Sequence, residues 1–432
     1  MGKIITAIDI GTTKIVAIVG ELNEAGKVRI ITKGIVPTPQ KSVKKGVVQN
    51  IANVSDAIKS AVNIAENNSN VKFKSAFIGI AGQHIKSIQN SHQVYVSASD
   101  NIITEEDVNK ILFEIKAMSF EETKEVIDVI PQSYTVDNET DIDHPVGRYG
   151  NRLLGNFHII IGDTAGTKNI KRCVEYGDIE VNELFLEPIA SASAVLTEDE
   201  KDGGVALVDI GGGTTDIAIF YDGVLRHTAV IPFGGDVVTN DIKIAYNILH
   251  KYAEKLKIEC GTALSDFAEK DTLAVIPGIS GRPPKEIAVD ELSKVIQARM
   301  EEVIEIINYE IGNSGYSGKL AAGIALTGGG SLLKHLPQLM KFKTGLEVKL
   351  SKPLSSIFEN ANKETSPKLS TAFGLINLGL LNDDKVKSNN IVRKKEKKSA
   401  KGTGFLKDLF NNVAEKAKQK SIDFFEDNDT EI

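Results

Sequence analysis

The sequence predicts an α/β protein built from two related halves. Three observations predict it. Apolar strand-like runs alternate with amphipathic helical runs over most of the 432 residues, the pattern of sheets covered by helices. The segment "AIDIGTTKIVAIV" (Ala7 to Val19) repeats the order of parts in "VDIGGGTTDIAIF" (Val208 to Phe220): apolar strand, aspartate, glycine turn, threonines, second apolar strand. A third glycine turn, "GIALTGGGSLL" (Gly323 to Leu333), closes a further buried strand.

The elements follow in order. "KIITAIDIG" and "KIVAIVGEL" are short β-rich runs around a glycine turn, and "VRIITKGIV" is a third strand. "NVSDAIKSAVNIAEN" carries Val54, Ile58, Val62 and Ala65 at helical spacing, with Asn53 or Ser55 as its N-cap. "SAFIGIAG" is another buried strand. From Gly82 to about Ile161 the texture changes to a small α+β insert. "HIKSIQNSHQVYVS" alternates like a strand, and "TEEDVNKILFEIKAM" opens on a capping box from Thr104 to Asp107. "EVIDVIPQSYTVDN" and "GNRLLGNFHIII" return to strand. "TKNIKRCVEYGDIEVNELFLEPIASASAVL" then reads helix, strand, helix. The hairpin at 205–221 opens the second half. "GGDVVTNDIKIAYNILHKYAEKLKIECG" is mainly helical. "VDELSKVIQARMEEVIEIINYEIG" is a long amphipathic helix with Leu292, Val295, Ile296, Val303, Ile306 and Ile307 on its apolar side.

Composition narrows the function classes. The chain is long enough for two to four domains, and 41% hydrophobic with 25% charged residues is ordinary for a globular protein. A net charge of −7 argues against a nucleic-acid partner. The two cysteines, Cys173 and Cys260, lack metal or redox spacing and point to a reducing compartment. The start "MGKIITAIDI" lacks the pattern of a signal peptide, and no apolar run is long enough to span a bilayer. The expected location is cytosolic, with any membrane contact made from the surface.

The hairpins carry the chemistry. Asp9 and Asp209 each end a buried strand. Gly11, and Gly211, Gly212 and Gly213, let backbone N–H groups approach an anion. Thr12 and Thr13, and Thr214 and Thr215, add hydroxyls, and Lys14 adds a positive charge. Each hairpin is a phosphate cradle beside a carboxylate suited to hydrated Mg²⁺. In the third turn Gly328, Gly329 and Gly330 follow Thr327, and Ser331 starts a helix, so a flat ligand or a phosphate can come close. The turn is not G-x-G-x-x-G, and the chain contains no P-loop.

With "LEPIASASA" and "LTGGGS", the paired hairpins resemble the superfamily of actin, heat-shock chaperones and sugar kinases. That resemblance implies an actin-like fold of two RNase-H-like domains with ATP and Mg²⁺ in the cleft between them. It assigns Glu187 to orient the attacking water, with Asp209 beside it, and "AEKLKIECG", through Glu254 and Lys257, to the nucleoside. Within the superfamily, "AGQHIKSIQNSHQVYVS", "VIPQSYTVDNETDIDHPVGRYGNRL" and "GRPPKEIAVDELSKVIQARMEEVIEIINYEIG" resemble the FtsA family of bacterial division proteins. MreB shares the nucleotide motifs but lacks such an insert.

The family resemblance implies a filament-forming protein that tethers FtsZ to the inner membrane face at the septum and recruits later division proteins. Hydrolysis in such a protein is expected to be slow or incidental. The resemblance divides the chain into a first core subdomain (1–82 and 162–192, with 370–382 returning to it), the insert (83–161), a second core subdomain (193–227 and 306–369) and an outer subdomain (228–305). The outer subdomain would take the FtsZ C-terminal peptide, at Lys285 and Arg299. Residues 383–403 read as a flexible basic linker.

The segment 404–432 reads as an amphipathic membrane-targeting tail. At about 100° per residue, Phe405, Leu409, Val413, Leu406 and Phe410 fall within an arc of about 140°. Lys407 and Lys418 flank it, while Lys420 interrupts the apolar side. This is the pattern of a helix lying in an anionic lipid interface. "RKKEKKSAK" before it would be drawn to the same surface. A sugar or acyl kinase is the rival reading, but the chain carries no mark of a sugar pocket and a kinase has no use for such a tail.

Overall fold

The computed structural model describes residues 3–118, 122–278, 283–359 and 365–382. The chain divides into one compact unit, Met1–Leu380, and a second, Leu381–Ile432. The first unit contains both halves and the insert.

Two five-stranded sheets share one topology. In the first, Glu180–Leu186, Ser75–Ile80, Ile4–Ile10, Lys14–Leu22 and Val28–Pro37 lie side by side in that order. In the second the order, from the opposite edge, is Val224–Ile231, Thr215–Tyr221, Val205–Ile210, Ile324–Thr327 and Val348–Leu350. Each sheet pairs its first three strands in sequence antiparallel and adds two parallel ones. The repeat seen in the sequence is therefore a repeat of whole sheets. Strands such as "VALVDI" are buried along their full length, which is why they read as continuous apolar runs.

Helices cover the sheets. Ile51–Asn67 packs Val54, Ile58, Val62 and Ala65 inward, but its N-cap is Asn50 and not Asn53 or Ser55. The Asn50 side chain accepts from the Asn53 N–H at 3.0 Å. The helix starts before the apolar periodicity shows, because its first turn is exposed on one side. The long helix runs Val289–Asn313 and buries Met300, Ile304 and Ile311 in addition to Leu292, Ile296, Val303 and Ile307. A last helix spans 370–382.

The insert has its own sheet and core. Ile85–Tyr95, Arg152–Asp163, Lys124–Val136 and Glu139–Ile142 pair antiparallel in that order. Helix Glu105–Lys116 buries Ile111 and Ile115 in the insert's core, and the capping box of Thr104 and Asp107 is present.

His158 sits where the insert meets the second sheet. It is 1% exposed, and its Nδ1 finds no partner. Burial, reinforced by the neighbouring His227, holds its pKa down to about 4. The unfolded chain takes up a proton near the ordinary value of 6.5, before the folded one does. Stability from this group is therefore full above pH 6.5 and lost as pH falls towards 4, by about 3 kcal/mol. Thermal unfolding of His158→Gln should depend less on pH across that window than the parent; equal slopes would remove His158 as the cause.

Candidate functional site

The two glycine hairpins meet tip to tip. In each the first glycine donates across the turn, Gly11 N–H to Lys14 O at 3.0 Å and Gly211 N–H to Thr214 O at 2.9 Å. A Cβ on Gly212 would strike Thr13, and one on Gly213 would come within 2.7 Å of the Thr12 hydroxyl. These glycines are thus required by the opposing hairpin as well as by the turn. The second tip is anchored from behind, Gly235 N–H to Gly211 O at 2.9 Å and Asp236 N–H to Gly212 O at 2.8 Å.

Beneath the tips lies a small cavity of about 60 Å³ lined by Asp9, Glu187, Asp209, Asp216, Lys14 and Thr371, among others. Asp9, Asp209 and Asp216 are buried. Burial raises the pKa of Asp9 against the pull of Lys14. Asp209 is raised by burial too, although the Ser191 hydroxyl donates to it at 2.6 Å. Asp216 stands directly across the hairpin from Asp209, and burial plus the Asp209 charge push it up to about 8. Glu187 opens the helix Glu187–Val195. Burial, then the charges of Asp9, Asp216 and Asp209, raise it well above the usual carboxylate range.

Four carboxyl groups thus line one small cavity with two lysines, Lys14 and Lys368, and one buried oxygen of Asp216 has no partner. A cation suits this excess of negative charge. Among the described residues no three such groups converge as a ligand set; Mg²⁺, which keeps most of its waters and takes only one or two carboxylates, fits this lining.

A larger cavity of about 380 Å³ continues past the tips. Val238, Ile258, Met300, Leu332 and Leu333 make it apolar on one side, suited to a flat ring. Glu254 and Lys257 line it as an ion pair at 2.7 Å. Lys257 also donates to Gly235 O at 3.0 Å and to Thr239 Oγ1 at 2.8 Å. Gly329 and Gly330 contribute from the third turn, and Gly328 lies against Asp209 in the smaller cavity.

The structure brings Asp9, Gly11, Thr12, Thr13, Lys14, Glu187, Asp209, Gly211, Gly212, Thr214, Glu254, Lys257, Gly328, Gly329 and Gly330 around these two cavities. It turns others away. Thr215 is fully buried and donates to Phe233 O at 2.9 Å. Ser331 does not start an α-helix. It lies in a single 3₁₀ turn, Gly330–Leu332, and donates back to Gly328 O at 2.6 Å. The α-helix begins only at Leu336, where Pro337 suits a first turn.

Lys285 and Arg299 lie away from the cleft. Lys285 donates to Tyr246 O, and Arg299 pairs with Asp241 and with Glu302. Sequence reading missed Asp216, Asp236, Ser191, Lys368 and Thr371. Asp216, Ser191 and Asp236 lie inside quoted segments, but only strand register shows that Asp216 faces Asp209.

Solved structures share this architecture. The type IV pilus biogenesis complex PilM–PilN aligns with a TM-score of 0.62 at 16% identity, covering 87% of this chain and 98% of that one. MreB 5 of Spiroplasma citri bound to AMPPNP aligns with a TM-score of 0.54 at 15% identity, covering 90% and 99%. Two repeated sheets closing on a carboxylate-lined cleft define an actin-like ATPase fold.

The profile described as "Cell division protein FtsA" matches residues 206–374, and "SHS2 domain inserted in FTSA" matches residues 82–161. The cell division protein FtsA of Pseudomonas aeruginosa is 39% identical over 379 residues, 88% of this chain and 90% of its own length. Those of Escherichia coli K12 (35% identical, 87% and 90% covered) and Borreliella burgdorferi (33%, 94% and 99%) are also similar. The chain belongs to the FtsA family of cell division proteins. The residues Phe405, Leu406, Leu409, Phe410 and Val413 lie outside the described residues, and among the described residues no helix is long and apolar enough to cross a membrane.

Proposed function

We propose that this chain binds ATP with Mg²⁺ in the cleft, assembles into filaments, and tethers FtsZ filaments to the inner face of the membrane at the septum. The observation that carries the nucleotide reading is the meeting of two glycine hairpins over a cluster of buried carboxyls. The similar fold of MreB 5, solved with AMPPNP bound, supports it. Thr12, Thr13, Lys14, Gly211, Gly212 and Thr214 would hold phosphates. The apolar wall with Gly329 and Gly330 would take the base, and Glu254 and Lys257 the ribose. Asp9 and Asp209 would hold Mg²⁺ through water, and the ion supplies the charge that offsets phosphates and carboxylates together. Glu187 would accept from a water near the terminal phosphate, with hydrolysis slow.

The tail supplies the membrane contact. One helix with Phe405, Leu406, Leu409, Phe410 and Val413 on its apolar side binds weakly, and a filament carrying many binds by avidity. Lys285 and Arg299 on the outer part of the second half would meet the FtsZ C-terminal peptide, and any acidic group brought to Arg299 would have to compete with Asp241 and Glu302. Later division proteins would gather on the same filament.

Sedimentation with anionic vesicles tests the tether. The full chain should pellet with vesicles rich in phosphatidylglycerol, and a chain ending at residue 403 should stay in solution. Equal binding by both removes the tail from the membrane contact.

A further inference from the structure

The insert is attached to more than the half that carries it. Strand Val224–Ile231 is the outer strand of the second sheet, and the insert holds it by side chains from three of its own strands. Gln132 Nε2 donates to Leu225 O at 2.7 Å, and Arg226 Nη1 donates back to Gln132 O at 3.2 Å. The Ser87 hydroxyl donates to Thr228 O at 3.1 Å, and Gln89 Nε2 donates to Arg226 O at 3.4 Å. His158 Nε2 meets Thr228 Oγ1 at 3.1 Å. Backbone groups of an outer strand seek partners, and here the insert's side chains satisfy several of them.

The same strand ends at the cleft. Ile231 pairs with Thr215, and Val230 with Asp216. Two residues on, Phe233 O accepts from the Thr215 hydroxyl. Gly235 and Asp236 then bond the second hairpin tip and line the larger cavity. Thr228, gripped by the insert, is thus seven residues from the cavity wall, with strand and helix Gly235–Tyr246 joined by the short link 232–234, itself tied to the hairpin through Phe233 O. A movement at the cradle must either carry this strand or stretch it, and its sheet pairing resists stretching.

We propose that strand Val224–Ile231 couples the cleft to the insert, so that a nucleotide in the cleft steadies the insert's sheet and the insert's grip on the strand in turn sets nucleotide affinity. This rests on the nucleotide reading above. The coupling is reciprocal by thermodynamic necessity: whatever favours one position of the strand at one end favours it at the other.

Amide hydrogen exchange on the full chain, with and without Mg²⁺ and a fluorescent ATP analogue, tests it. The analogue should slow exchange in Ile85–Tyr95 and Lys124–Val136 as well as around the hairpins. The double variant Ser87→Ala, Gln132→Ala should lose that distant protection and shift the analogue's Kd by about three- to tenfold. If the double variant does not fold, Ser87→Ala alone, which removes one hydroxyl from a half-buried position, should weaken the distant protection in the same direction. Binding with protection confined to the cleft overturns the coupling alone. So does a folded variant that keeps the distant protection. Absence of binding by the parent chain overturns the nucleotide reading and the coupling with it.

Discussion

Gly328→Val should weaken binding of an ATP analogue by about a hundredfold, equivalent to about 2.7 kcal/mol, and should lower stability as well. Gly328 has φ +88°, a left-handed conformation that costs a β-branched residue about 1–3 kcal/mol. A side chain there has no room either. Its Cβ would overlap Asp209 Oδ1 and come within 2.5 Å of Ile210 O. Ile210 O is backbone in the middle of the second half and cannot yield, so Asp209 must. Asp209 is held by Ser191 at 2.6 Å and Thr371 at 3.4 Å, and displacing it breaks that arrangement and shifts a carboxylate that lines the cleft. Titration calorimetry with the magnesium complex of a non-hydrolysable analogue gives the answer. A Kd within threefold of the parent's would show that Asp209 does not need this position.

Gly374→Val should cost more, about 4 kcal/mol or above, enough to remove much of the stability of a typical domain. Here the helix 370–382 crosses Glu187–Val195 backbone to backbone, and a Cβ on Gly374 would overlap the carbonyl of Ala190. The crossing is locked on both sides. The Ser193 hydroxyl reaches Gly374 O at 3.2 Å, and Asn377 Nδ2 donates to Ser193 O at 3.1 Å. No rotamer change relieves a clash with main chain, so the helices must part and uncover the core between the two halves. The variant should collect in the insoluble fraction, and any soluble protein should unfold at a markedly lower urea concentration. Gly312→Ala, in the long helix with nothing within 4 Å of its Cβ position, serves as the control and should be neutral or slightly stabilising. Similar losses in both would point to a general fragility and not to the crossing.

How much of this was legible depends on distance along the chain. Asp9, Gly11, Thr12, Thr13 and Lys14 form one local unit whose order alone suggests a phosphate cradle, and the second hairpin repeats it. The capping box of Thr104 and Asp107 was equally local. Asp216 was visible as a letter but not as a partner, because it meets Asp209 only through antiparallel register. Ser191 and Thr371, which hold Asp209, are separated from it by 18 and 162 residues, and no spacing rule connects them. Ser331 misled for a related reason. Three glycines and a serine fit a helix start, yet the hydroxyl turned back to Gly328 O, and the helix waited for Leu336.

By itself the sequence determined the strands, most helices, the two cradles and the apolar periodicity of the tail, since each depends on residues within a few positions of one another. Only the tertiary structure decided that the cradles face each other, that four carboxyls gather in one cavity with Lys14 and Lys368, and that the insert grips strand Val224–Ile231 of the opposite half. Those outcomes depend on packing across hundreds of residues, where backbone clearances such as Gly374 against Ala190 select one arrangement. A one-dimensional pattern carries the propensity for each part, but it does not carry the clearance between them.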